Sequence, residues 1–420
     1  MTASRVALVH GDSRRENILQ ALDLVGDEID WGSRQSVLIK PNFVSLKRAL
    51  AVTHVEAVRA LLDWLRHRYS GPIVVGEGMP SQSTWEGFAR HGFLGLPEEY
   101  PGVELRDLNS DESSPVWVFD RSLQPMELQV ARTSLESDCR IAIGPPKTHD
   151  SAIVTLGLKN MILGSIISRL GDSSAQHVSA GAQEGNAGIG SPSRKRRGFT
   201  LRGRGLYGGL PVWVKRLALM ERLKARLLYH SAQSDKQRMH QSLPLLNLNL
   251  FALAPLLHPH LSILDGWQAM EGDGPIWGDA VDWRVAVSSA DFLAADALAS
   301  ELMGFPVSLV GYLHYCRLAG LGASTREAMD IVGNVPPEAM QRSFRPSPTA
   351  RMQRKWRLRD TDRLLDEALR LNATSKGPIA GSGNQSGLAS EETGGEMLTL
   401  PLRPAGQAHV SHPVLEEHTA

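Results

Sequence analysis

Cysteine is scarce in this sequence, because its 420 residues include only Cys139 and Cys316. Two thiols are too few for a cysteine-ligated iron–sulfur cluster or for a zinc site made of four cysteines. Small secreted folds depend on disulfides, so the shortage favours a reducing environment. We therefore expect a cytoplasmic protein that holds no iron–sulfur cluster of its own.

Long apolar runs and an excess of one charge are also missing. No apolar run approaches the roughly 18 residues that a membrane-spanning helix needs, and the amino terminus lacks the pattern of a signal peptide. The 45 Lys and Arg residues are balanced by 45 Asp and Glu residues. We predict neither a signal peptide nor a membrane span, and no overall field that would attract nucleic acid.

The composition that remains is that of an ordinary globular protein. Hydrophobic residues make up 42% of the chain and charged residues 21%, which allows one large core or two smaller ones. Short Val- and Ile-rich runs alternate with longer amphipathic segments, as in residues 6–9 followed by 16–25, and 37–40 followed by 55–68. This alternation predicts an α/β fold with a mainly parallel sheet flanked by helices.

The same reasoning predicts the later elements. Further strands are expected at residues 73–75, 103–105, 140–143, 261–264 and 283–288, an antiparallel pair at 116–119 and 127–130, and apolar or helical segments at 84–91, 245–257 and 290–303. Ser288 or Ser289 is the predicted cap of the last helix.

Composition divides the chain into four parts. We assign residues 1–170 and 241–372 to one interrupted α/β domain, 171–240 to a Gly/Ser-rich and then basic insertion, and 373–420 to a disordered tail. Residues 191–240 contain 13 Lys and Arg against 2 Asp and Glu, a local charge of +11. Such a segment is either a solvated insertion or a surface that binds nucleic acid or an anionic membrane.

The strongest candidate site follows the strand at residues 140–143. A Gly-Pro-Pro turn ends this strand and is followed by Lys147, Thr148, His149 and an aspartate, and Lys159 with an asparagine follows on a predicted helix. Ligands bind at the carboxyl ends of strands in open α/β sheets. The alternative is a polar strand–turn–helix connection, although four consecutive functional side chains are more than a turn requires.

Polar groups also follow the second and third predicted strands. Lys40 and Asn42 close the second strand, and Thr53 and His54 open the following helix, whose free N–H groups favour an anion. Asn42 and Thr53 have the alternative roles of shaping a turn and capping a helix. Glu77 lies between two glycines after the third strand, where the backbone can approach a ligand closely. These loops are predicted to lie at one edge of the sheet.

A glycine-rich acidic loop follows the strand at residues 261–264. Its carboxylates Asp265 and Glu271 are candidates for binding a cation or for acid–base chemistry. The spacing is not that of an EF-hand, and we find no phosphate-binding P-loop, no dinucleotide-binding glycine motif, and no common hydrolase or zinc-protease motif. We assign no metal ligand from the sequence.

These motifs, in this order, resemble domain-of-unknown-function family 362. The likeness extends from about Val6 to Gly333 apart from the basic insertion, and it rests on the following segments: Lys40-Pro41-Asn42, Thr53-His54, Gly76-Glu77-Gly78, Pro146-Lys147-Thr148-His149, Leu158-Lys159-Asn160-Met161-Ile162-Leu163-Gly164, Asp265-Gly266, and Met270-Glu271-Gly272 with Gly274-Pro275. Many members of that family also carry ferredoxin-like cysteine motifs, which this chain lacks.

A more distant similarity is to the nickel-pincer lactate racemases. These enzymes attach their cofactor to a lysine and bind its metal with a histidine, and Lys147, Lys159 and His149 supply these residue types. This similarity implies that a metal or organic cofactor is possible, although its identity is unknown.

The sequence thus predicts an enzyme, an oxidoreductase or isomerase, that acts on a small anionic, carboxylate-bearing metabolite by proton or hydride transfer. The predicted catalytic residues are Lys147, His149, Lys159 and Glu77, and the predicted binding residues are Lys40, Asn42, Thr53, His54, Thr148, Asn160, Asp265 and Glu271. The lysines would neutralise substrate charge, and His149 would be the general acid or base. The alternative is a binding or scaffold protein that contacts nucleic acid or an anionic surface through residues 191–240.

Overall fold

The computed structural model describes residues 3–80, 82–168 and 234–373. The strands are β1 (Ser4–His10), β2 (Val37–Lys40), β3 (Ile73–Glu77), β4 (Val103–Asp107), β5 (Ser113–Phe119), β6 (Pro125–Ala131), β7 (Cys139–Gly144), β8 (Lys147–His149), β9 (Ile153–Thr155), β10 (Leu261–Glu271), β11 (Asp279–Ser289) and β12 (Met329–Gly333). Most of the predicted insertion and tail lies outside the described residues.

The helices alternate with the strands in the first half of the chain and dominate the second half. They are α1 (Arg14–Val25), α2 (Val55–Leu65), α3 (Thr84–Arg90), α4 (Leu96–Glu99), α5 (Arg132–Glu136), α6 (Gly157–Ser165), α7 (Asp235–Arg238), α8 (Leu243–Leu257), α9 (Phe292–Leu302), α10 (Gly311–Leu318), α11 (Pro337–Met340), α12 (Ala350–Gln353) and α13 (Thr361–Leu371).

A mixed, mostly parallel sheet of ten strands forms the centre of the fold. Its main order is β12-β1-β11-β10-β7-β2-β3-β4, and β8 joins it by pairing with β10 and with β9. All strands along the main order except β11 run in the same direction. The predicted α/β class is confirmed, and the carboxyl ends of β2, β3, β7 and β10 meet at one edge.

Both faces of the sheet are buried. Along β1, Val6 and Leu8 belong to one core layer and Ala7 and Val9 to the other, because successive side chains of a strand point to opposite faces. Helices α6, α8, α9 and α10 cover the first layer, and α1 and α2 cover the second. Each fully buried Val or Leu contributes about 1.5–3 kcal/mol, so the two layers position the edge firmly.

Helix α8 is apolar on nearly all sides, and its surroundings explain why. It contacts α6, α10 and α13, and a helix that is hydrophobic all round is stable in water only when it is enclosed. Ser242 caps this helix by accepting a hydrogen bond from the backbone N–H of Leu245. Helix α8 therefore forms the centre of one core layer.

The predicted cap of the helix after β11 is wrong. Ser288 and Ser289 both belong to β11, and α9 is capped by Asp291, whose carboxylate accepts the backbone N–H groups of Leu293 and Ala294. The aspartate can satisfy two of the free N–H groups at a helix start.

The predicted antiparallel pair is present as the β5–β6 hairpin.

The length and apolar character of the described helices determine whether they could cross a bilayer. None of the helices within residues 3–80, 82–168 and 234–373 combines the length and apolar character that crossing a membrane requires.

Candidate functional site

The residues that follow the Gly-Pro-Pro turn at the end of β7 form a short strand, which was not predicted from the sequence. Pro145 and Pro146 end β7, and Lys147, Thr148 and His149 then form β8, parallel to β10 and antiparallel to β9. Alternation along a strand places Lys147 and His149 on one face and Thr148 on the other. Thr148 Oγ1 donates to the main-chain oxygen of Gly272 at 3.1 Å.

Lys40 and Glu77 form a buried ion pair at the ends of β2 and β3. The carboxylate also accepts backbone N–H groups from Phe43 at 3.2 Å and from Gly78 at 2.9 Å. Burial lowers the pKa of Lys40, and the charge of Glu77 opposes this shift. A buried pair persists when its remaining hydrogen-bonding capacity is satisfied, and here the carboxylate and the amine each have further partners.

Two asparagines connect this ion pair to Lys147. Asn160 Oδ1 accepts from Asn42 Nδ2 at 2.8 Å and from Lys40 Nζ at 3.4 Å, and Asn42 Oδ1 accepts from Lys147 Nζ. Thr53 Oγ1 holds Asn42 by accepting its backbone N–H at 2.7 Å. Asn42, Thr53 and Asn160 therefore belong to one continuous buried network, which is fully hydrogen bonded in the way that buried polar groups require.

The amine of Lys147 is buried near the amines of Lys159 and Lys40. Its side chain is fully buried, and Nζ donates to the main-chain oxygen of Ala51 at 2.8 Å as well as to Asn42. Burial, together with the charge of Lys159, lowers the pKa of Lys147 to about 7, and the charge of Glu77 opposes this shift. Near neutral pH the amine is thus present in both protonation states, so a nearby anion would favour its charged form.

His149 and Lys159 form a direct pair. Lys159 Nζ lies 3.0 Å from His149 Nε2, and both residues are buried. The backbone N–H of Ser151 donates to His149 Nδ1 at 2.9 Å, so in the neutral imidazole the proton is on Nε2. Burial lowers the pKa of Lys159 to about 7, with the charge of Asp150 acting against the shift. A neutral amine can accept a hydrogen bond from the Nε2 N–H group.

Helix α6 positions two of these groups from its first turn. Asp296 of α9 accepts the backbone N–H groups of Gly157 at 2.8 Å and Leu158 at 3.0 Å, which anchors the start of the helix. Lys159 and Asn160 are adjacent and point in different directions, toward His149 and toward Lys40 respectively. Burial raises the pKa of Asp296 to about 7, and the two N–H groups partly offset that rise.

A fourth buried lysine was not singled out from the sequence. Lys236 in α7 donates to the main-chain oxygen of Gly78 and lies 3.5 Å from Asn109 Oδ1. Burial lowers its pKa to about 7. Lys236 is one of 13 Lys and Arg residues in residues 191–240, so the sequence does not distinguish it from the other cations of this segment. The Ser-x-x-Gln capping box formed by Ser234 and Gln237 was the signal that α7 is an ordered helix.

The residues of this site lie within a segment that matches a known protein family. Residues 37–301 match the family described as a domain of unknown function, DUF362. This chain belongs to the DUF362 family. Among curated proteins, none matches the chain in sequence.

Two solved structures resemble parts of this DUF362 protein. A Thermotoga maritima protein is 16% identical, with 38% of this chain and 40% of that one covered at a TM-score of 0.28. The lactate racemase apoprotein from Thermoanaerobacterium thermosaccharolyticum is 18% identical, with 40% and 39% covered at a TM-score of 0.29. The chain thus spans about two fifths of either structure, and similarity at this level carries no argument about activity.

Four of the predicted site residues lie apart from the pair of His149 and Lys159 and from the lysine network, which is the hydrogen-bonded set of Lys40, Asn42, Thr53, Glu77, Lys147 and Asn160. Thr148, on the other face of β8, bonds to the main chain of Gly272. Asp265 is buried and pairs with Arg14, whose Nε is 3.0 Å from Oδ2, and burial raises its pKa while Arg14 opposes the rise. His54 caps α2 on the same side of the fold and interacts electrostatically with both. Glu271 accepts the backbone N–H of Arg345 at 2.9 Å. Neither carboxylate contacts His149, so their assignment to substrate binding stays a prediction.

The described residues of this DUF362 protein do not fit a metal centre. They contain no group of three or more His, Cys, Asp and Glu side chains that could hold an ion. His149 Nε2 is in hydrogen-bond contact with Lys159 Nζ at 3.0 Å. Cys139 and Cys316 are buried and unpaired, and burial raises the pKa of Cys139 to about 11.

A cavity of about 790 Å³ lies elsewhere, between the β5–β6 hairpin and α13. Its walls include Trp117, Phe119, Arg363 and Arg370. None of the residues that line this cavity belongs to the lysine network, so this cavity and the densest cluster of buried titratable groups do not coincide.

Proposed function

We propose that this DUF362 protein is an enzyme that transfers protons on a small carboxylate-bearing metabolite, with the pair of His149 and Lys159 as its acid and base. The observation that supports this most directly is the 3.0 Å contact between Lys159 Nζ and His149 Nε2. One group of the pair carries a transferable proton and the other a lone pair. Proton transfer requires a general acid or base within hydrogen-bond reach of the substrate proton that moves, and a substrate bound beside this pair would meet that requirement.

The charge balance favours an anionic substrate. Glu77 is already neutralised by Lys40, whereas Lys147, Lys159 and Lys236 have no carboxylate within ion-pair distance among the residues described. A charged amine without a counterion is costly to bury. A substrate carboxylate placed near Lys147 would supply the missing charge and would raise the pKa of that amine again.

Asp150 gives His149 the means to change its protonation state. Its Oδ1 lies 3.3 Å from His149 Nδ1 and accepts a hydrogen bond from Ser151 Oγ at 2.8 Å. If the imidazole gains a second proton during turnover, this carboxylate stabilises the imidazolium. His149 can then act as an acid in one step and as a base in the next.

The test is solvent hydrogen exchange. The protein is incubated in D₂O with a panel of 2-hydroxy, 2-oxo and 2-amino carboxylates. Deuterium is measured by mass spectrometry at carbon 2 of the hydroxy and amino acids and at carbon 3 of the oxo acids. We expect exchange on one compound class and a loss of about 10²–10⁴-fold in rate for His149→Ala and for Lys159→Ala.

The control variant is Lys355→Ala, since Lys355 is exposed and lies just after α12. It should exchange at the rate of the unmodified protein. If His149→Ala and Lys159→Ala also exchange at that rate, the assignment is wrong. The alternative role of the basic insertion concerns residues 191–240, most of which lie outside the described residues, and it stays a separate prediction.

A further inference from the structure

Lys159 differs from the other buried lysines in what faces its amine. Lys40 donates to Glu77, Lys147 donates to Asn42 and to a main-chain oxygen, and Lys236 donates to the main-chain oxygen of Gly78. All of these partners are acceptors. The partner of Lys159 is His149.

The hydrogen bonds of His149 determine the direction of this contact. The backbone N–H of Ser151 points at Nδ1, so the neutral ring carries its proton on Nε2, 3.0 Å from Lys159 Nζ. The amine must then be the acceptor, which requires its neutral form. A neutral lysine amine is a nucleophile, and burial beside other cations is a known way to maintain it.

We infer that Lys159 forms a Schiff base with the carbonyl carbon of an oxo-carboxylate and that His149 relays the protons. This inference rests on the proposed function and narrows its substrate class to acids that carry a ketone or aldehyde. Lys147, on the same face of β8 as His149 and electrostatically coupled to Lys159, is placed to neutralise the carboxylate of such a substrate.

The covalent step balances without a further reactant. Lys159 Nζ forms a bond to the carbonyl carbon, and the bond between that carbon and its oxygen breaks. The two amine protons leave with the oxygen as water. In each transfer His149 gives its Nε2 proton to the oxygen and takes an amine proton in its place, so the ring ends as it began. Nothing is oxidised or reduced, and the resulting imine withdraws electrons from the neighbouring carbon, which makes a proton on that carbon easier to remove.

The experiment is reductive trapping on the full-length protein. Sodium borohydride is added in the presence of 2-oxobutyrate, 2-oxoglutarate or acetoacetate, and the adduct is located by intact mass and peptide mapping. We expect one adduct per chain, on Lys159, with at least one of these acids. The adduct should be absent in Lys159→Met and retained in Lys355→Met. 2-Hydroxybutyrate, which has neither a ketone nor an aldehyde group, should give no adduct.

A second variant protects the test against misfolding of Lys159→Met. His149→Asn keeps the lysine, so the same adduct should form on Lys159 about tenfold or more slowly, in line with the loss of a proton-transfer group. Adduct formation at an unchanged rate in His149→Asn, or an adduct mapped to another lysine, overturns the inference.

The two proposals fail in different ways. If deuterium exchange depends on His149 and Lys159 but no acid can be trapped, the Schiff base is excluded and the proposed proton transfer stands. If neither exchange nor trapping occurs with any acid of the panel, both are overturned.

Discussion

The buried lysines should make this protein more stable as pH rises above neutrality. Lys147 offers the clearest case, because its side chain is fully buried and burial lowers its pKa from 10.5 to about 7. The perturbation is Lys147→Met, which keeps an unbranched side chain of similar length and removes the titrating amine.

The direction of this pH dependence follows from the number of protons bound in the folded and unfolded states. Between pH 7 and 10.5 the amine of Lys147 is protonated in the unfolded chain and largely neutral in the folded one, so folding releases a proton. The contribution of Lys147 to stability is fully present above the pKa that its amine has in the unfolded chain. It is lost as the pH falls through the lower pKa of the folded state. The slope is about 1.4 kcal/mol per pH unit, so raising the pH from about 7.5 to about 9.0 should add about 2 kcal/mol.

The assay is urea unfolding of the unmodified protein, Lys147→Met and Lys355→Met at those two pH values. The difference in unfolding free energy between the unmodified protein and Lys147→Met should shift by about 2 kcal/mol in favour of the unmodified protein at the higher pH. Lys355 is exposed, so its variant should track the unmodified protein at both values.

An equal pH dependence for the unmodified protein and Lys147→Met would refute the reasoning. It would mean that Lys147 keeps its proton in the folded state, through a counterion or through contact with solvent. The proposed need for an anionic substrate would then lose its electrostatic basis.

Four further changes have expected outcomes. Glu77→Gln leaves Lys40 buried without its carboxylate and should cost roughly 3–5 kcal/mol in urea unfolding. Gly164→Ala places a methyl group against Lys40 Cε and Nζ, and we expect a loss of about 1–3 kcal/mol; an unchanged melting temperature would contradict this contact. Asp296→Ala removes two hydrogen bonds at the start of α6 and should cost about 1–3 kcal/mol and slow deuterium exchange. If residues 191–240 form an anion-binding surface, the protein should bind heparin at low salt and lose this retention when they are deleted; absence of retention removes the idea.

Much of the fold could be predicted from local pattern. Short β-branched runs such as residues 37–40 are buried strands, and their alternation with amphipathic helices favours parallel pairing. Parallel strands bring their carboxyl ends to one edge, so the meeting of Lys40, Glu77 and Lys147 in one region was predictable without coordinates. The strands β2, β3 and β7 confirm that geometry.

Partner choice could not be predicted in the same way. The sequence predicts Asp265 and Glu271 in a loop after a strand at residues 261–264, but β10 extends to Glu271 and contains both. Asp265 pairs with Arg14, 251 residues away in sequence. Lys236 reaches Gly78 across 158 residues. Such contacts depend on how whole helices and strands pack and on the side-chain rotamers that the packing allows. A local sequence motif specifies neither the packing nor the rotamers.

The sequence by itself determined the alternation of strands and helices, the edge at which functional groups collect, and the residue types present there. Only the tertiary structure decided that Lys147 and His149 share one face of β8 and that α6 brings Lys159 to the imidazole. It also decided the protonation of these groups, because the pKa of a lysine depends on burial and on the charges around it. Both are properties of the packed fold.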